Sequence, residues 1–191
     1  MVRSFLCATL MLLSAGVSSN AQLAGPTPDV GQKAPAFTLA TPDGKLVSLA
    51  ASTAKGPVVL VVLRGYPGYQ CPFCARQVHD FIENADKFAA LRTQVLLVYP
   101  GPPAELDQKA REFMAKENPL PPGIHLVVDP DYKFTRQYGL RWDAPHETAY
   151  PTTFLIDRHD TIFFRKISRE HGDRTTAADM LAELQRRASG D

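Results

Sequence analysis

The stretch VVLVVL (residues 58–63), followed after a short loop by CPFC (residues 71–74), decides the fold of this chain. A continuous apolar run of this length is typical of a central strand that is buried on both faces of a sheet. Proline at position 72 suits the first turn of a helix, because its missing N–H would be unpaired there in any case. A helix with one core-facing stripe is indicated by apolar residues at a spacing of three and four, namely Val78, Phe81, Ile82, Ala85, Phe88 and Ala89.

The two cysteines of the CPFC segment, Cys71 and Cys74, indicate redox chemistry. Their spacing places both sulfurs in the first turn of the helix, where the Cα atoms lie within the roughly 4.4–6.8 Å that a disulfide needs. Unpaired N–H groups and the positive end of the helix dipole stabilise a thiolate at this place, and the thiolate is the reactive form. A bridge across so short a loop constrains the unfolded chain little, so we interpret the pair as chemical rather than structural.

The N-terminal residues indicate an exported protein. Arg3 precedes a short apolar core, and small residues end at Ala21, so residues 1–21 are predicted to be a signal peptide cleaved after Ala21. The apolar core is too short for a membrane span, although an uncleaved anchor remains the alternative. Loss of Arg3 takes the formal net charge from +1 to 0. We therefore expect a periplasmic or secreted protein with no nucleic-acid partner and no stable membrane insertion after cleavage.

The rest of the chain reads as one α/β domain. Residues 22–29 are predicted to be a flexible lead-in, and residues 30–190 the domain itself. Residues 35–39 and 45–49 alternate apolar and polar side chains around the turn Pro42-Asp43-Gly44, which predicts an N-terminal β-hairpin. Further strands are predicted at 94–99, 125–128, 152–157 and 161–166, and further helices at 104–116, 132–138 and 176–187. This alternation implies a mixed central sheet with helices on both faces.

These patterns resemble the thioredoxin fold, and within it the redoxin family of AhpC/TSA peroxiredoxins and TlpA-like thiol-disulfide oxidoreductases. The resemblance covers nearly all of the chain after residue 29. It is carried by VGQKAPAF (30–37), the strand leading to Cys71, LVVDP (126–130), Tyr138-Gly139 and YPTTFLID (150–157). Together these pieces predict a thioredoxin-like fold with the CPFC segment at its active site.

The peroxiredoxin branch of the family is matched only in part. The loop length places Cys71 at the peroxidatic position of that branch, which follows a Pro-x-x-x-Thr-x-x-Cys motif. Arg64 stands at the place of the motif's proline, and Gly68 at the place of its threonine. The arginine that the branch carries three residues before the phenylalanine of a later strand is replaced by Pro151. The resemblance thus implies a weakened peroxide pocket, and we hypothesise that Arg64 supplies the missing cation.

Pro151 instead resembles the cis-proline loop of thioredoxin-like reductases. We therefore predict a cis bond between Tyr150 and Pro151, with the loop beside the cysteine pair. The predicted substrate groove consists of Arg64, Tyr66, Tyr69, Gln70, Pro72, Phe73, Tyr150 and Pro151.

The favoured function is that of an exported thiol-disulfide oxidoreductase in which Cys71 is the nucleophile and Cys74 resolves the mixed disulfide. Its partners would be protein or small-molecule disulfides or peroxides and an external thiol reductant, with no cofactor. The alternative is a thiol-dependent peroxidase with an antioxidant role, in which Cys71 is peroxidatic. Two further alternatives are a copper chaperone that adds His146 to the cysteines and a non-catalytic module. No metal site is predicted, because the histidines are scattered.

Overall fold

A computed structural model describes residues 25–190, which fold around one seven-stranded mixed sheet. The strands are β1 (Thr38–Ala40), β2 (Leu46–Ser48), β3 (Val58–Val62), β4 (Gln94–Gly101), β5 (Ile124–Pro130), β6 (Thr152–Ile156) and β7 (Ile162–Ile167). Their order across the sheet is β2-β1-β5-β4-β3-β6-β7. The helices are α1 (Leu49–Thr53), α2 (Pro72–Glu83), α3 (Ala85–Ala90), α4 (Leu106–Met114), α5 (Lys133–Gln137) and α6 (Ala177–Ser189). The predicted thioredoxin-like α/β fold is confirmed.

Strand β3 lies inside the sheet, as its apolar sequence predicts. It pairs in parallel with β4 and antiparallel with β6, and all five of its residues are buried. Successive side chains of a strand point to opposite faces of the sheet. Val59 and Val61 accordingly join the core beneath α2, α3, α4 and α6, while Val58 and Leu60 join the core beneath α1 and α5. Helices on both faces therefore fix the position of the strand that ends at the candidate active site.

The predicted N-terminal hairpin is present, with β1 and β2 paired antiparallel. A short helix, α1, follows directly where no helix was predicted. Its start is set by the Ser48 side chain, whose hydroxyl accepts a hydrogen bond from the N–H of Ala51 at 3.2 Å. A serine in this place satisfies an N–H that the helix itself leaves unpaired, so a five-residue helix can follow the strand directly.

The helix predicted from residue 72 onward is interrupted. Asn84 leaves the helical conformation, and its side-chain amide donates to the carbonyl of Asp80 at 2.8 Å, so α2 ends and α3 begins anew. Phe81 and Phe88 stack in the core with ring centroids 5.4 Å apart. Ala89 is exposed, unlike the other members of the predicted stripe, because the interruption changes the direction of the last turn.

The described part of the predicted lead-in is attached to the domain by polar contacts. Gly25 N–H donates to the Arg136 carbonyl and the Thr27 hydroxyl to the Gly139 carbonyl, both at 3.0 Å. Asp29 forms an ion pair with Arg165. The predicted signal peptide and residues 22–24 lie outside the described residues. Within residues 25–190, no helix combines the length and the apolar character that crossing a membrane requires.

Candidate active site

The cysteine pair lies at the start of α2, directly after the loop that leaves β3. Cys71 caps the helix in an extended conformation, and Pro72 occupies the first helical position, where it sacrifices no hydrogen bond. Only 2% of Cys71 is exposed, and Cys74 is fully buried. Both are free thiols. The predicted strand, loop and helix therefore place the two sulfurs together in a site that solvent barely reaches.

The two thiols differ strongly in acidity. The hydrogen bond from the Cys74 thiol, aided by backbone N–H groups at the helix start and by the charge of Arg174, outweighs desolvation and lowers the pKa of Cys71 to about 5. Burial, reinforced by the hydrogen bond to Cys71, raises the pKa of Cys74 well above its ordinary value. At neutral pH the site thus holds a thiolate at Cys71 beside a protonated thiol at Cys74. That arrangement is the one a nucleophile and its resolving partner require.

Arg174 is the cation in contact with the nucleophile, although no sequence pattern singled it out. Its Nη2 atom lies 3.9 Å from the Cys71 sulfur. The residue belongs to segment 168–176, which connects β7 to α6. Its Nη1 donates to Gln77 Oε1 at 3.0 Å and its Nε to the His171 carbonyl at 2.7 Å. Because 103 residues separate Arg174 from Cys71, only the folded chain brings the two together.

Arg64 makes a different set of contacts from those that its hypothesised role requires. It is 2% exposed, and its Nε donates to Glu147 Oε2 at 2.7 Å. Its other nitrogens donate to the Tyr69 hydroxyl and the His146 carbonyl. Burial opposes the charge of Arg64, but the hydrogen bonds to Glu147 and Tyr69 outweigh it and raise the pKa of Arg64. The guanidinium is thus engaged with these groups, and the contact with Cys71 is made by Arg174 instead.

Glu147 extends this cluster toward the aromatic side chains near β6. Its Oε1 pairs with Nε2 of His171 at 2.9 Å. Burial opposes ionisation of Glu147, but the hydrogen bonds from Arg64 and His171 prevail and lower the pKa of its carboxyl. Trp142 stacks on Tyr150 with ring centroids 4.7 Å apart and also contacts the His171 ring. Arg64, Tyr69 and Tyr150, three of the predicted groove residues, therefore belong to one polar and aromatic cluster.

Other predicted groove residues contact helix α4 or solvent. Gln70 accepts a hydrogen bond from the Tyr99 hydroxyl at 2.7 Å and donates to the Lys109 carbonyl at 2.9 Å. The Lys109 ammonium lies over the Tyr66 ring. Pro72 and Phe73 are exposed on the first turn of α2. These contacts define a second cluster, distinct from the one around Arg64.

The prediction of a cis bond before Pro151 is wrong, since the bond between Tyr150 and Pro151 is trans. Pro151 leads directly into β6 as extended chain. Its carbonyl accepts a hydrogen bond from the N–H of Ser168 at 2.8 Å, which continues the pairing between β6 and β7 beyond Thr152. Pro151 is buried, and its carbonyl is occupied by the residue that follows β7.

The copper alternative would add His146 to the two cysteines. The His146 carbonyl is bonded to Arg64, and the residue adopts a left-handed backbone conformation. In the part of the chain from residue 25 to residue 190, no three His, Cys, Asp or Glu side chains are grouped so that they could hold a metal ion.

Comparison with known proteins identifies the class. Residues 30–165 match the AhpC/TSA family, and the chain belongs to this family. A Mycobacterium tuberculosis protein assigned as a peroxiredoxin is 40% identical over 137 residues, which are 69% of this chain and 80% of that protein. The solved structure of peroxidoxin BcpB from the same organism has a TM-score of 0.67 at 23% identity, covering 82% of this chain and 96% of BcpB.

A third relative represents the disulfide-exchange branch. A Chlorobium tepidum protein assigned as the thiol:disulfide interchange protein DsbE has a TM-score of 0.59 at 25% identity, covering 84% of this chain and 96% of that protein. The protein is an oxidoreductase of the peroxiredoxin-like type. Because relatives from Coxiella burnetii and Mycobacterium tuberculosis, at 30% and 40% identity, are assigned as peroxiredoxins, the comparisons favour the peroxidase alternative over disulfide exchange.

Proposed function

We propose that this protein is a thiol-dependent peroxidase in which Cys71 reduces a hydroperoxide and Cys74 resolves the product. The observation that carries the proposal is the combination of a stabilised thiolate with near-complete burial at Cys71. A low pKa alone suits either branch of the family. Burial separates the two branches, because it limits the size of the oxidant that can reach the sulfur.

Access to the nucleophile favours a small oxidant. Attack on a disulfide requires a sulfur atom of the substrate to approach the thiolate in line, with its own chain attached on the far side. With only 2% of Cys71 exposed, a folded protein substrate has no such approach without rearrangement of the site. A hydroperoxide presents a terminal oxygen of nearly the size of a water molecule, which needs far less room beside the sulfur.

The reaction follows in two steps. The Cys71 thiolate attacks the terminal oxygen of the hydroperoxide, so that an S–O bond forms and the O–O bond breaks. The sulfur is oxidised to a sulfenic acid, and the departing alkoxide takes a proton from solvent. The Cys74 sulfur then attacks the Cys71 sulfur, which forms the disulfide and releases water. An external dithiol must then supply two electrons and two protons to restore both thiols, and because its attack also needs an in-line approach to a site sulfur, the oxidised site must first rearrange.

Ionisation of Cys71 alone does not make its reaction with a hydroperoxide fast. At pH 7 a thiol with a pKa of about 5 is almost fully ionised, whereas a free cysteine is ionised to roughly 3%, a gain of about 30-fold. The lower basicity reduces nucleophilicity by about 25- to 55-fold, if peroxide attack follows the Brønsted dependence of thiol exchange. The two effects nearly cancel, so any rate well above that of a free thiol must come from groups that position the oxidant.

The test is the rate at which hydrogen peroxide consumes the reduced thiol of the protein, measured by stopped flow at pH 7. We expect a rate about 100-fold or more above that of free cysteine, since positioned hydrogen-bond donors contribute on this scale. Cys71→Ser should abolish the reaction, and Cys74→Ser should leave a sulfenic acid that a dimedone probe captures. A rate equal to that of free cysteine would overturn the proposal.

Disulfide exchange remains the second candidate, since Cys71 and Cys74 form a CxxC at a helix start and the DsbE-assigned structure is similar. Oxidised glutathione in place of peroxide distinguishes the two functions. Fast reduction of glutathione disulfide combined with slow reaction with peroxide would identify the protein as an exchange catalyst.

A further inference from the structure

We propose that Arg174 is a catalytic residue that binds the hydroperoxide at Cys71, and that Gln77 is the positioning residue that holds it there. This inference rests on the proposed peroxidase function. In peroxiredoxins the corresponding cation is an arginine at the position of Pro151. Here the cation comes from segment 168–176, which lies beyond the family match at residues 30–165.

The position of segment 168–176 explains how the substitution is possible. Pro151 stands where the peroxiredoxin arginine is expected, and its carbonyl accepts a hydrogen bond from Ser168. The chain that leaves β7 is thereby attached beside the position that lost its arginine. Six residues later the same segment delivers Arg174 to the Cys71 sulfur. A cation is thus restored to the site from the connection that follows the neighbouring strand.

The guanidinium is held in one orientation and keeps donors free. Its Nε and Nη1 are bonded to the His171 carbonyl and to Gln77, and one Nη2 hydrogen faces Cys71. An arginine has five N–H groups, so two have no acceptor within residues 25–190, one of them on the nitrogen that touches the sulfur. An oxygen bound beside the Cys71 thiolate lies within reach of that second Nη2 hydrogen.

The partners of Arg174 are neutral. Among the salt bridges of residues 25–190 none includes Arg174, and both of its oxygen acceptors are uncharged. Gln77 is only 7% exposed, and its amide nitrogen donates to the Thr175 carbonyl at 3.1 Å. Gln77 therefore contacts the residue next to Arg174 as well as Arg174 itself. The charge is oriented without being neutralised, and it remains available to the sulfur and to the oxidant.

Segment 168–176 is fastened on both sides of Arg174. The Thr175 hydroxyl is bonded to the Thr153 hydroxyl of β6 at 2.8 Å. On the other side, Asp173 pairs with Lys166 of β7 at 2.6 Å. Anchors on both adjacent residues hold the backbone of Arg174 beside the cysteine pair.

These contacts assign two actions to Arg174 in the peroxide step. Before attack, its positive charge favours the Cys71 thiolate over the thiol. During attack, the O–O bond breaks, and the electron pair leaves with the outer oxygen as an alkoxide or hydroxide. A free N–H donor stabilises the negative charge that develops on that oxygen before solvent protonates it.

The experiment compares wild type, Arg174→Gln, Arg174→Lys and Arg169→Gln. Arg169 is an exposed arginine of the same segment and serves as the matched control. Iodoacetamide alkylation against pH gives the pKa of Cys71, and stopped flow at pH 9 gives the rate with hydrogen peroxide when the thiol is ionised in every variant. Measuring at pH 9 removes the effect of thiolate fraction, so the remaining difference reports on the oxidant alone.

We expect Arg174→Gln to raise the Cys71 pKa by about 1–3 units and to slow peroxide oxidation at pH 9 by about 100-fold. In Arg174→Lys the Cys71 pKa should stay close to its wild-type value, because the positive charge is kept. The rate with hydrogen peroxide should fall in part, because a lysine ammonium lacks the planar fork. Arg169→Gln should match wild type. The pH profile would not move if Arg174 were only structural.

The two proposals fail in different ways. A fast wild type with an equally fast Arg174→Gln variant at pH 9 would overturn the role of Arg174 and leave the peroxidase intact. A slow wild type would overturn the peroxidase itself, and the oxidant-binding role with it. If Arg174→Gln does not fold, the lysine variant still tests the role, since unchanged oxidation in it would contradict the need for a fork.

Discussion

Two arginines flank the cysteine pair, and they are held by opposite kinds of partner. Arg64, at the end of β3, is buried and pairs with the carboxylate of Glu147. Arg174, in segment 168–176, is partly buried and is held by the Gln77 amide and a backbone carbonyl. The first is placed by a strand that the sequence reveals, and the second by a connection with no sequence signature. Only the second touches the nucleophile.

The charge of the partner determines whether a buried arginine acts on a neighbouring group. A carboxylate in contact with an arginine cancels most of its field, so the pair contributes orientation and cohesion rather than electrostatic potential. Neutral acceptors hold a guanidinium equally firmly in geometry but leave its charge unbalanced. The Arg64–Glu147 pair is therefore structural, whereas Arg174 acts on the charge state of Cys71.

Removing Arg64 should give the largest effect, and the effect should be on stability. Arg64→Met leaves the Glu147 carboxylate, only 11% exposed, without its arginine partner and with His171 alone. Breaking a buried pair in this way costs about 3–5 kcal/mol. Urea unfolding of the reduced protein measures the loss, and alkylation against pH should find the Cys71 pKa still near 5.

A double variant provides the control for the Arg64 prediction. Arg64→Met combined with Glu147→Leu removes both charges, so much of the lost stability should return. A large rise in the Cys71 pKa in Arg64→Met would contradict the structural role of Arg64. It would mean that the charge of Arg64 acts on Cys71 even though the Glu147 carboxylate is in contact with it.

The architecture of this chain could be predicted from its sequence wherever the spacing of apolar residues fits a single kind of secondary structure. The apolar run of β3 and the helical spacing after Pro72 each indicate one structure; the strand is confirmed, and the helix is confirmed as far as Glu83. Local polar contacts can start or end a helix at places that the spacing of apolar residues does not indicate. Helix α1 depends on a serine cap, and the interruption at Asn84 depends on a side-chain amide bonded to the preceding turn. Neither contact has a periodic signature.

The candidate site could be predicted only for residues adjacent in sequence. Cys71 and Cys74 lie in one motif, whereas Arg174 reaches Cys71 from the far end of β7. Pro151 misled the prediction because its likeness to a cis-proline loop is local, while its actual conformation is set by pairing with Ser168. Contacts between distant segments depend on sheet order and register, which a single sequence does not specify.

The pH dependence of stability tests the charged nucleophile. In the folded protein the Cys71 pKa is about 5, mainly through the Cys74 hydrogen bond and with help from Arg174. In the unfolded chain it returns to about 8.5. Between these values the unfolded state binds one more proton, so folding stability rises with pH by about 1.4 kcal/mol per unit. The contribution is complete above the unfolded pKa and is lost as pH falls through 5.

The measurement compares reduced wild type with Cys71→Ser by urea unfolding at pH 6 and pH 8. The difference between the two proteins should grow by about 2.5 kcal/mol over this interval. Cys74 stays protonated in the folded state over this range because its pKa is raised, so it does not disturb the comparison. A difference independent of pH would mean that Cys71 is not held as a thiolate.

The smallest expected effect comes from making the partner of Arg174 resemble that of Arg64. Gln77→Glu keeps the shape of the side chain but places a carboxylate oxygen where the amide oxygen now lies, 3.0 Å from Arg174 Nη1. We expect the Cys71 pKa to rise by about one unit, since the new charge neutralises part of the field at the sulfur. Gln185→Glu adds the same charge to an exposed face of α6 and should leave the pKa unchanged. Alkylation measured against pH gives the Cys71 pKa of each variant. An unchanged Cys71 pKa in Gln77→Glu would show that the effect of Arg174 on Cys71 does not depend on neutral partners.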